Sequence, residues 1–352
     1  MTSSLPLLAG AALVTTLAGV PAPASIPGPG PAVAEHARTA GAPARRAGTI
    51  PGPRTTPPQA TSPRAVDVAE RPAVHDPSTR RRALAYWTPR RMAAAVPIGS
   101  PGTAAGAPGG SPPAVRHRHG RALGTRWTAG ARWTGGGQVT RTTGRVFLTL
   151  AGADFVCSAS SVKSASRDLV VTAGHCVKDG AGAWADNWVF VPGYDRGRRP
   201  YGQFTARRMF VAGPWARGAD DGHDLGMVAV GPRGGKHLGE IAGAQEIAFG
   251  TPSARPAHGF GFPAEAPYDG ERLVYCSGPL RGDPHGHGDR GLRCDMTAGA
   301  SGGPWLSDFD PATGRGTITS VSSFKYSDDR GTMYGPAFGE TARRLYAVAQ
   351  IS

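Results

Sequence analysis

From residue 145 onward the chain alternates short apolar, β-branched runs with turns rich in Gly, Pro and Asp. The runs fall at 146–150, 155–160, 169–172, 188–191, 205–211, 225–230, 273–276 and 317–324. Each has the length of a strand, and no long amphipathic helix separates them. That pattern predicts an all-β domain, barrel or sandwich. The helical period comes only at the end. Over 340–350, Ala342, Leu345, Tyr346 and Ala349 recur at a spacing that places them on one face, so a C-terminal helix is expected to pack on the β domain.

The first third has a different texture. Leu5 to Val20 is an apolar run of mostly Leu, Ala and Val that ends near Ala22-Pro23-Ala24. This reads as a secretory signal peptide over residues 1–24, too short and alanine-rich for a membrane span, although residues 1–4 lack the usual Lys or Arg. Residues 25–132 are rich in Pro, Gly, Ala, Thr and Arg and poor in large apolar side chains. Such a stretch buries too little surface to offset ordering entropy, so it is expected to be disordered. One exception lies near 88–96. Thr88 is a good N-cap, Pro89 a good first helical residue, Met92 and the alanines continue the helix, and Pro97 ends it. Tyr86 and Trp87 beside this short helix point either to a docking element or to a transient helix in a linker.

Charge divides the chain in the same place. The formal net charge is +14 over 352 residues. Residues 25–132 carry 16 Arg against 4 acids, whereas residues 133–352 are close to neutral at +2. The basic character therefore belongs to the N-terminal region and not to a folded face, which argues against a nucleic-acid partner. The segment Arg116-His117-Arg118-His119, with Arg126 and Arg132, makes an exposed basic approach to the domain. It is an easy proteolytic target, and maturation is expected to cut between Arg116 and Gly144. The folded domain is set at 133–352, long enough for two barrels or one large domain. All four cysteines follow Phe155. An even number in a secreted chain suggests two disulfides, and sequence alone permits three pairings.

Three stretches carry chemistry. Val170-Val171-Thr172-Ala173-Gly174-His175-Cys176 puts an imidazole at the end of an apolar strand, with a glycine that lets the chain bend. His223-Asp224-Leu225-Gly226-Met227-Val228 puts a carboxylate at the start of another. Gly299-Ala300-Ser301-Gly302-Gly303-Pro304 puts a small hydroxyl among glycines, which leave backbone N–H groups open to a reacting carbonyl. Asp220 and Asp221 compete with Asp224, but their Gly-rich flanks read as a solvated loop. His223 reads as a neighbour and not as the base. His285, His287 and Asp289 could suggest a metal; in a Gly-rich loop they read as solvated, and no metal or cofactor is assigned. Arg281-Gly282-Asp283 is a tripeptide common by chance.

Together these motifs resemble the three signatures of the trypsin/chymotrypsin-like serine peptidases, in the secreted bacterial branch similar to glutamyl-endopeptidase-like enzymes. The resemblance runs from about Gly144 to the C-terminus. It implies two packed six-stranded antiparallel β-barrels with the active site in the cleft between them. It implies a His175, Asp224 and Ser301 triad, and an oxyanion hole from the N–H groups of Gly299 and Ser301. It implies the Cys157–Cys176 bridge beside the histidine, leaving Cys276 with Cys294. Each bridge closes a loop of about 20 residues, worth roughly 3 kcal/mol in the chain-entropy view.

Ala300 departs from the animal enzymes, where an acid before the serine pairs with a freed N-terminus. The basic N-terminal region would therefore act as a pro-segment by occlusion or by assisting folding. Asp295 lies six residues before Ser301, where trypsin-like enzymes place the acid at the base of the specificity pocket. It either selects basic P1 residues or is turned away by the Cys294 bridge. Ser320 and Ser322 are expected to line the same pocket, and the stretch 319–324 lacks the histidine that glutamyl enzymes use there. The expected protein is thus a secreted, extracellular, monomeric endopeptidase. Its partners are a peptide or protein substrate and its own pro-segment, without nucleic acid or stable membrane insertion. Two other readings stay open on the same scaffold: a catalytically silent binding protein and an esterase.

Overall fold

The structure, a computed structural model, describes residues 67–73, 76–98, 127–252 and 255–352, all within one compact unit spanning 60–352. The expected signal peptide, the early part of the Pro-rich region and the basic Arg116–Arg126 approach lie outside the described residues.

The chain begins, in the described part, with β1 (Val68–Pro72), α1 (Pro77–Tyr86), α2 (Pro89–Ala94) and β2 (Val96–Pro97). It continues with β3 (Thr128–Arg132), α3 (Gly137–Thr142), β4 (Thr143–Leu150), β5 (Ala153–Val162), β6 (Leu169–Thr172), β7 (Asp186–Pro192), β8 (Phe204–Ala212), α4 (Gly213–Gly218) and β9 (Gly226–Val230). Then follow α5 (Leu238–Ile241), β10 (Glu246–Ile247), β11 (Ala257–Gly261), β12 (Val274–Gly278), β13 (Leu280–Gly282), β14 (Arg290–Arg293), β15 (Pro304–Asp310), β16 (Arg315–Val321), β17 (Thr332–Gly335) and α6 (Glu340–Ala349). Each of the eight apolar runs overlaps one of these strands.

Six antiparallel strands close a barrel in the ring β4–β5–β6–β9–β8–β7, with β4 pairing β7 to complete it. Closure removes the exposed sheet edges. The second half closes less completely than expected. Its six-stranded sheet runs β10–β16–β15–β11–β12–β3, with β10 parallel to β16, and a separate three-stranded sheet runs β13–β14–β17. Pro279 stands between β12 and β13, and a residue without an N–H interrupts the ladder there. α6 buries Ala342, Leu345 and Ala349 and packs on β8 and β9 of the closed barrel, as its period predicts.

The disordered reading of 25–132 needs correction where the chain is described. β1 pairs antiparallel with β8, and β2 pairs parallel with β5. Asp76 caps α1 and Thr88 caps α2 through side-chain oxygens. Ala83, Trp87, Met92 and Ile98 are buried against the first barrel. Trp87 packs its ring on Phe147 at 5.5 Å and donates Nε1–H to the Asn187 carbonyl at 2.6 Å. Composition misses this because four well-spaced apolar side chains suffice once a barrel is present to receive them. The folded domain also starts before residue 133, since β3 pairs with β12.

Candidate active site

His175 sits just beyond β6, in a single tight turn over Gly174–Cys176. The glycine before it serves space and not bending. A Cβ at Gly174 would lie 2.8 Å from Trp215 Cδ1 and 2.9 Å from Asp224 Oδ1. The imidazole is buried, with its ring edge against Trp215. Asp224 is fully buried at the start of β9, delivered by the turn Asp221–His223. Its two oxygens hold the histidine twice: Oδ2 lies 2.7 Å from Nδ1, and Oδ1 accepts the backbone N–H of His175 at 2.8 Å. This fixes both ring orientation and tautomer, with Nδ1 carrying the proton toward Asp224 and Nε2 on the opposite edge of the ring. Nε2 is buried and has no protein partner.

Ser301 lies on the loop before β15 and is nearly buried. Its carbonyl accepts from the Ser158 N–H at 2.8 Å and touches the bridged Cys176 Sγ at 3.7 Å. Gly302 has φ +81°, and a Cβ there would stand 2.0 Å from Thr172 Oγ1 and 2.8 Å from the Ala173 nitrogen. Only glycine allows this loop to press so closely on the end of β6, three residues from His175. The side chains of His175, Asp224 and Ser301 therefore sit on segments in direct contact. Among the described residues, protein acceptors hold the N–H groups of Ala300, Gly302 and Gly303 but not those of Gly299 and Ser301. Both expected disulfides are formed, Cys157–Cys176 and Cys276–Cys294, with Cα–Cα distances of 6.2 and 5.4 Å.

No protein-family model matches the sequence, and no curated protein does. Solved structures do. The protease Anisep from Arthrobacter nicotinovorans is 36% identical with a TM-score of 0.58, over 60% of this chain and 96% of that one. A thermostable serine protease, AL20, from an extremophilic microorganism has the same identity and score, over 61% and 99%. The chain belongs to the trypsin/chymotrypsin-like serine peptidases. A Glu endopeptidase crystallised with MPD shares the fold at 16% identity, TM-score 0.52, over 64% and 98%.

The peptidase also uses residues that sequence reading passed over. Ser323 donates its hydroxyl to Asp224 Oδ2. Three serines in a row of four gave no clue which one turns toward the acid. Ser320 and Ser322, expected in the pocket, are fully buried. The Ser320 hydroxyl bonds the Pro336 carbonyl, and Ser322 Oγ accepts from Trp305 Nε1. Ser323 lies just past the end of β16 and turns its hydroxyl to Asp224. Asp295 is half-buried and accepts the Tyr268 hydroxyl at 2.5 Å, while its N–H bonds the Ala129 carbonyl. Lys325 puts Nζ on the Cys294 and Arg330 carbonyls, and burial lowers its pKa to about 8 despite the opposing pull of Asp295.

Of the residues read as solvated, Asp220, His285 and His287 are exposed, whereas Asp289 is not. Asp289 is buried, with neither carboxylate oxygen hydrogen-bonded. Burial, with repulsion from Asp283, Asp221, Asp220 and Asp224, raises its pKa to about 7. Burial and the charge of Asp224 also push Asp221 up. The group Cys157, His175 and Cys176 brings potential ligand atoms close together. The two sulfurs are bonded to each other, so neither is a thiolate ligand.

Proposed function

We propose that this peptidase hydrolyses peptide bonds with Ser301 as nucleophile, His175 as base and Asp224 as the acid that orients it, through an acyl-enzyme. One observation carries the reading: a buried carboxylate grips Nδ1, while Nε2 is left without a protein partner. Ser301 Oγ attacks the substrate carbonyl as Nε2 takes its proton, and Asp224 stabilises the imidazolium. The oxyanion is received by the Gly299 and Ser301 N–H groups, each worth about 3 kcal/mol to the transition state. Nε2 then returns the proton to the leaving amine. Water repeats the sequence on the ester and frees the acid. An organophosphonate probe tests this: it should label Ser301 in the wild type and fail in Ser301→Ala and His175→Ala. Labelling that persists in Ser301→Ala would refute the assignment, and turnover of esters without peptides would make the protein an esterase.

The protein is read as secreted and monomeric. Support comes from the apolar run within residues 1–24 and from two disulfides, which persist in oxidising compartments. No described helix is long and apolar enough to cross a membrane. The segment 67–98 is proposed to assist folding of the first barrel. Its strand pairings fall on β5 and β8, and α1 packs on β7 and β8. Arg71 and Arg91 add ion pairs to Asp186 and Asp154. N-terminal sequencing of the secreted protein, with a search for a retained 67–98 peptide, tests the maturation scheme. An unprocessed N-terminus near Ser25 would refute cleavage between Arg116 and Gly144.

A further inference from the structure

The loop 262–272 between β11 and β12 reaches two places at once. Its near part lies along the run that leads to Ser301. The Ala264 N–H bonds the Ala298 carbonyl at 2.8 Å. Glu265 and Thr297 bond each other twice: the Glu265 N–H donates to Oγ1 at 3.1 Å, and that hydroxyl donates to the Glu265 carbonyl at 3.0 Å. The Tyr268 hydroxyl bonds Asp295. Gly299, at φ +94°, presses so closely on this loop that a Cβ would stand 2.9 Å from both the Phe262 carbonyl oxygen and Ala264 Cβ. The far part is tied to the first barrel. Arg145, on β4, is 3% exposed and donates Nη1–H to Glu271 Oε1 at 2.9 Å. The Tyr194 hydroxyl, just past β7, lies 2.8 and 2.9 Å from the two Glu271 oxygens. The Arg145 guanidinium stands over the Phe147 and Tyr194 rings at 5.1 and 5.0 Å. The Glu271 carbonyl accepts the Arg196 N–H at 2.9 Å.

We propose, resting on the role of Gly299 read above, that Arg145, Tyr194 and Glu271 are positioning residues for the oxyanion hole. They form a knot through which the first barrel holds the Gly299 N–H in place. A buried guanidinium is tolerated only with its counter-charge beside it, so Arg145 selects one position for Glu271. Gly270, at φ +72°, carries that choice toward the site. A Cβ there would meet Ala264 Cβ at 2.9 Å and Arg145 Nη2 at 3.0 Å. The cation and the residue that touches Gly299 thus pack on one glycine. An oxyanion donor works by being in place before the charge develops, and a misplacement of about 1 Å costs about 10²-fold in rate. The three side chains act through the loop and not on the reacting atoms.

The test is Glu271→Gln in the full chain, which keeps the shape and removes the counter-charge. Tyr194→Phe is the milder variant and decides should the first fail to fold. Active sites are counted by labelling Ser301 to completion with an organophosphonate, so that kcat refers to folded enzyme alone. Glu271→Gln should lower kcat per labelled site by about 10–100-fold, part of the 10²–10³ lost with a whole oxyanion donor, and leave KM within about twofold. Tyr194→Phe should lower kcat by about 3–10-fold. In a Ser301→Ala background, hydrogen exchange at the Ala300 and Gly302 amides should quicken about tenfold or more in both variants, while amides of β4 and β7 keep their rates. A kcat per labelled site within about twofold of wild type, or unchanged exchange at Ala300 and Gly302, would overturn the proposal whatever the melting temperature does. So would a rise in KM at constant kcat, which would make the loop a substrate-binding element. A wild-type chain that takes no label at Ser301 would refute the peptidase chemistry itself and this proposal with it, a result seen before any variant is made.

Discussion

Trp87 decides whether residues 67–98 are a true part of the first barrel. Its ring is 2% exposed, stands 5.5 Å from Phe147 and 5.2 Å from Tyr86, and donates to the Asn187 carbonyl. Replacing a buried Trp by Ala costs about 3–5 kcal/mol, the lost transfer energy plus the cavity. For a domain of roughly 220 residues each kcal/mol moves the melting temperature by about 2–4 °C, so Trp87→Ala should lower it by about 6–20 °C. Trp87→Phe keeps most of the packing and loses one hydrogen bond, about 1 kcal/mol. The control is Trp127→Ala, at a side chain 56% exposed, where a surface change should stay within about 0.5 kcal/mol. The assay is thermal unfolding of the unprocessed chain by circular dichroism, with peptide hydrolysis followed in parallel. The first barrel would owe nothing to this segment if Trp87→Ala melted with Trp127→Ala.

Three further outcomes are expected. Asp224→Asn should lower kcat by about 10⁴, the loss known for this family's triad when the acid is neutralised in place, with unchanged circular dichroism; a loss below tenfold would remove Asp224 from its role. Asp295→Asn should change kcat/KM for Arg at P1 by less than about fivefold in a P1 peptide panel, since Tyr268 already holds the carboxylate; a hundredfold drop would place Asp295 at the pocket base. His258 is packed against Phe309, Phe260 and Tyr275, and burial lowers its pKa to about 4. Above pH 6.5 it is neutral folded and unfolded; from there down to about 4 only the unfolded chain takes up the proton, so stability should fall with pH and level off below. His258→Phe should flatten that slope in urea titrations at pH 4–7, and an unchanged slope would sink the explanation.

The three residues proposed as the triad stood out because each sits in a short local pattern: strand then glycine then histidine, acid then apolar strand, serine among glycines. The eight strand-like runs, six of them in the closed barrel, were legible for the same reason. What stayed hidden depends on where separate segments meet. Ser323 bonds Asp224 while Ser320 and Ser322 bond Pro336 and Trp305, a choice set by the path of the chain past β16 and not by residue type. Asp289 looked solvated in its Gly-rich loop because nothing local announces that the Asp224 turn comes down upon it. Residues 67–98 looked too polar to order because Ala83, Trp87, Met92 and Ile98 find a core only in the barrel that they join.

One short stretch of β5 explains why the triad-bearing segments stay together. The Ser158 N–H holds the Ser301 carbonyl, and its hydroxyl donates to the Gly299 carbonyl while accepting the Phe262 N–H. The Ser158 carbonyl accepts from Thr172 Oγ1, at the end of the strand that leads into the His175 turn. Next to it, Cys157 is bridged to Cys176, the residue after the histidine. His175 and the Ser301 loop therefore share two adjacent anchors, one covalent and one a fully satisfied hydroxyl with 0% exposure. Removing that hydroxyl would leave a buried N–H without an acceptor, which costs about 1–3 kcal/mol. The spacing of His175 and Ser301 is thus set from beneath the site, by the backbone and hydroxyl contacts of Ser158 and the neighbouring bridge.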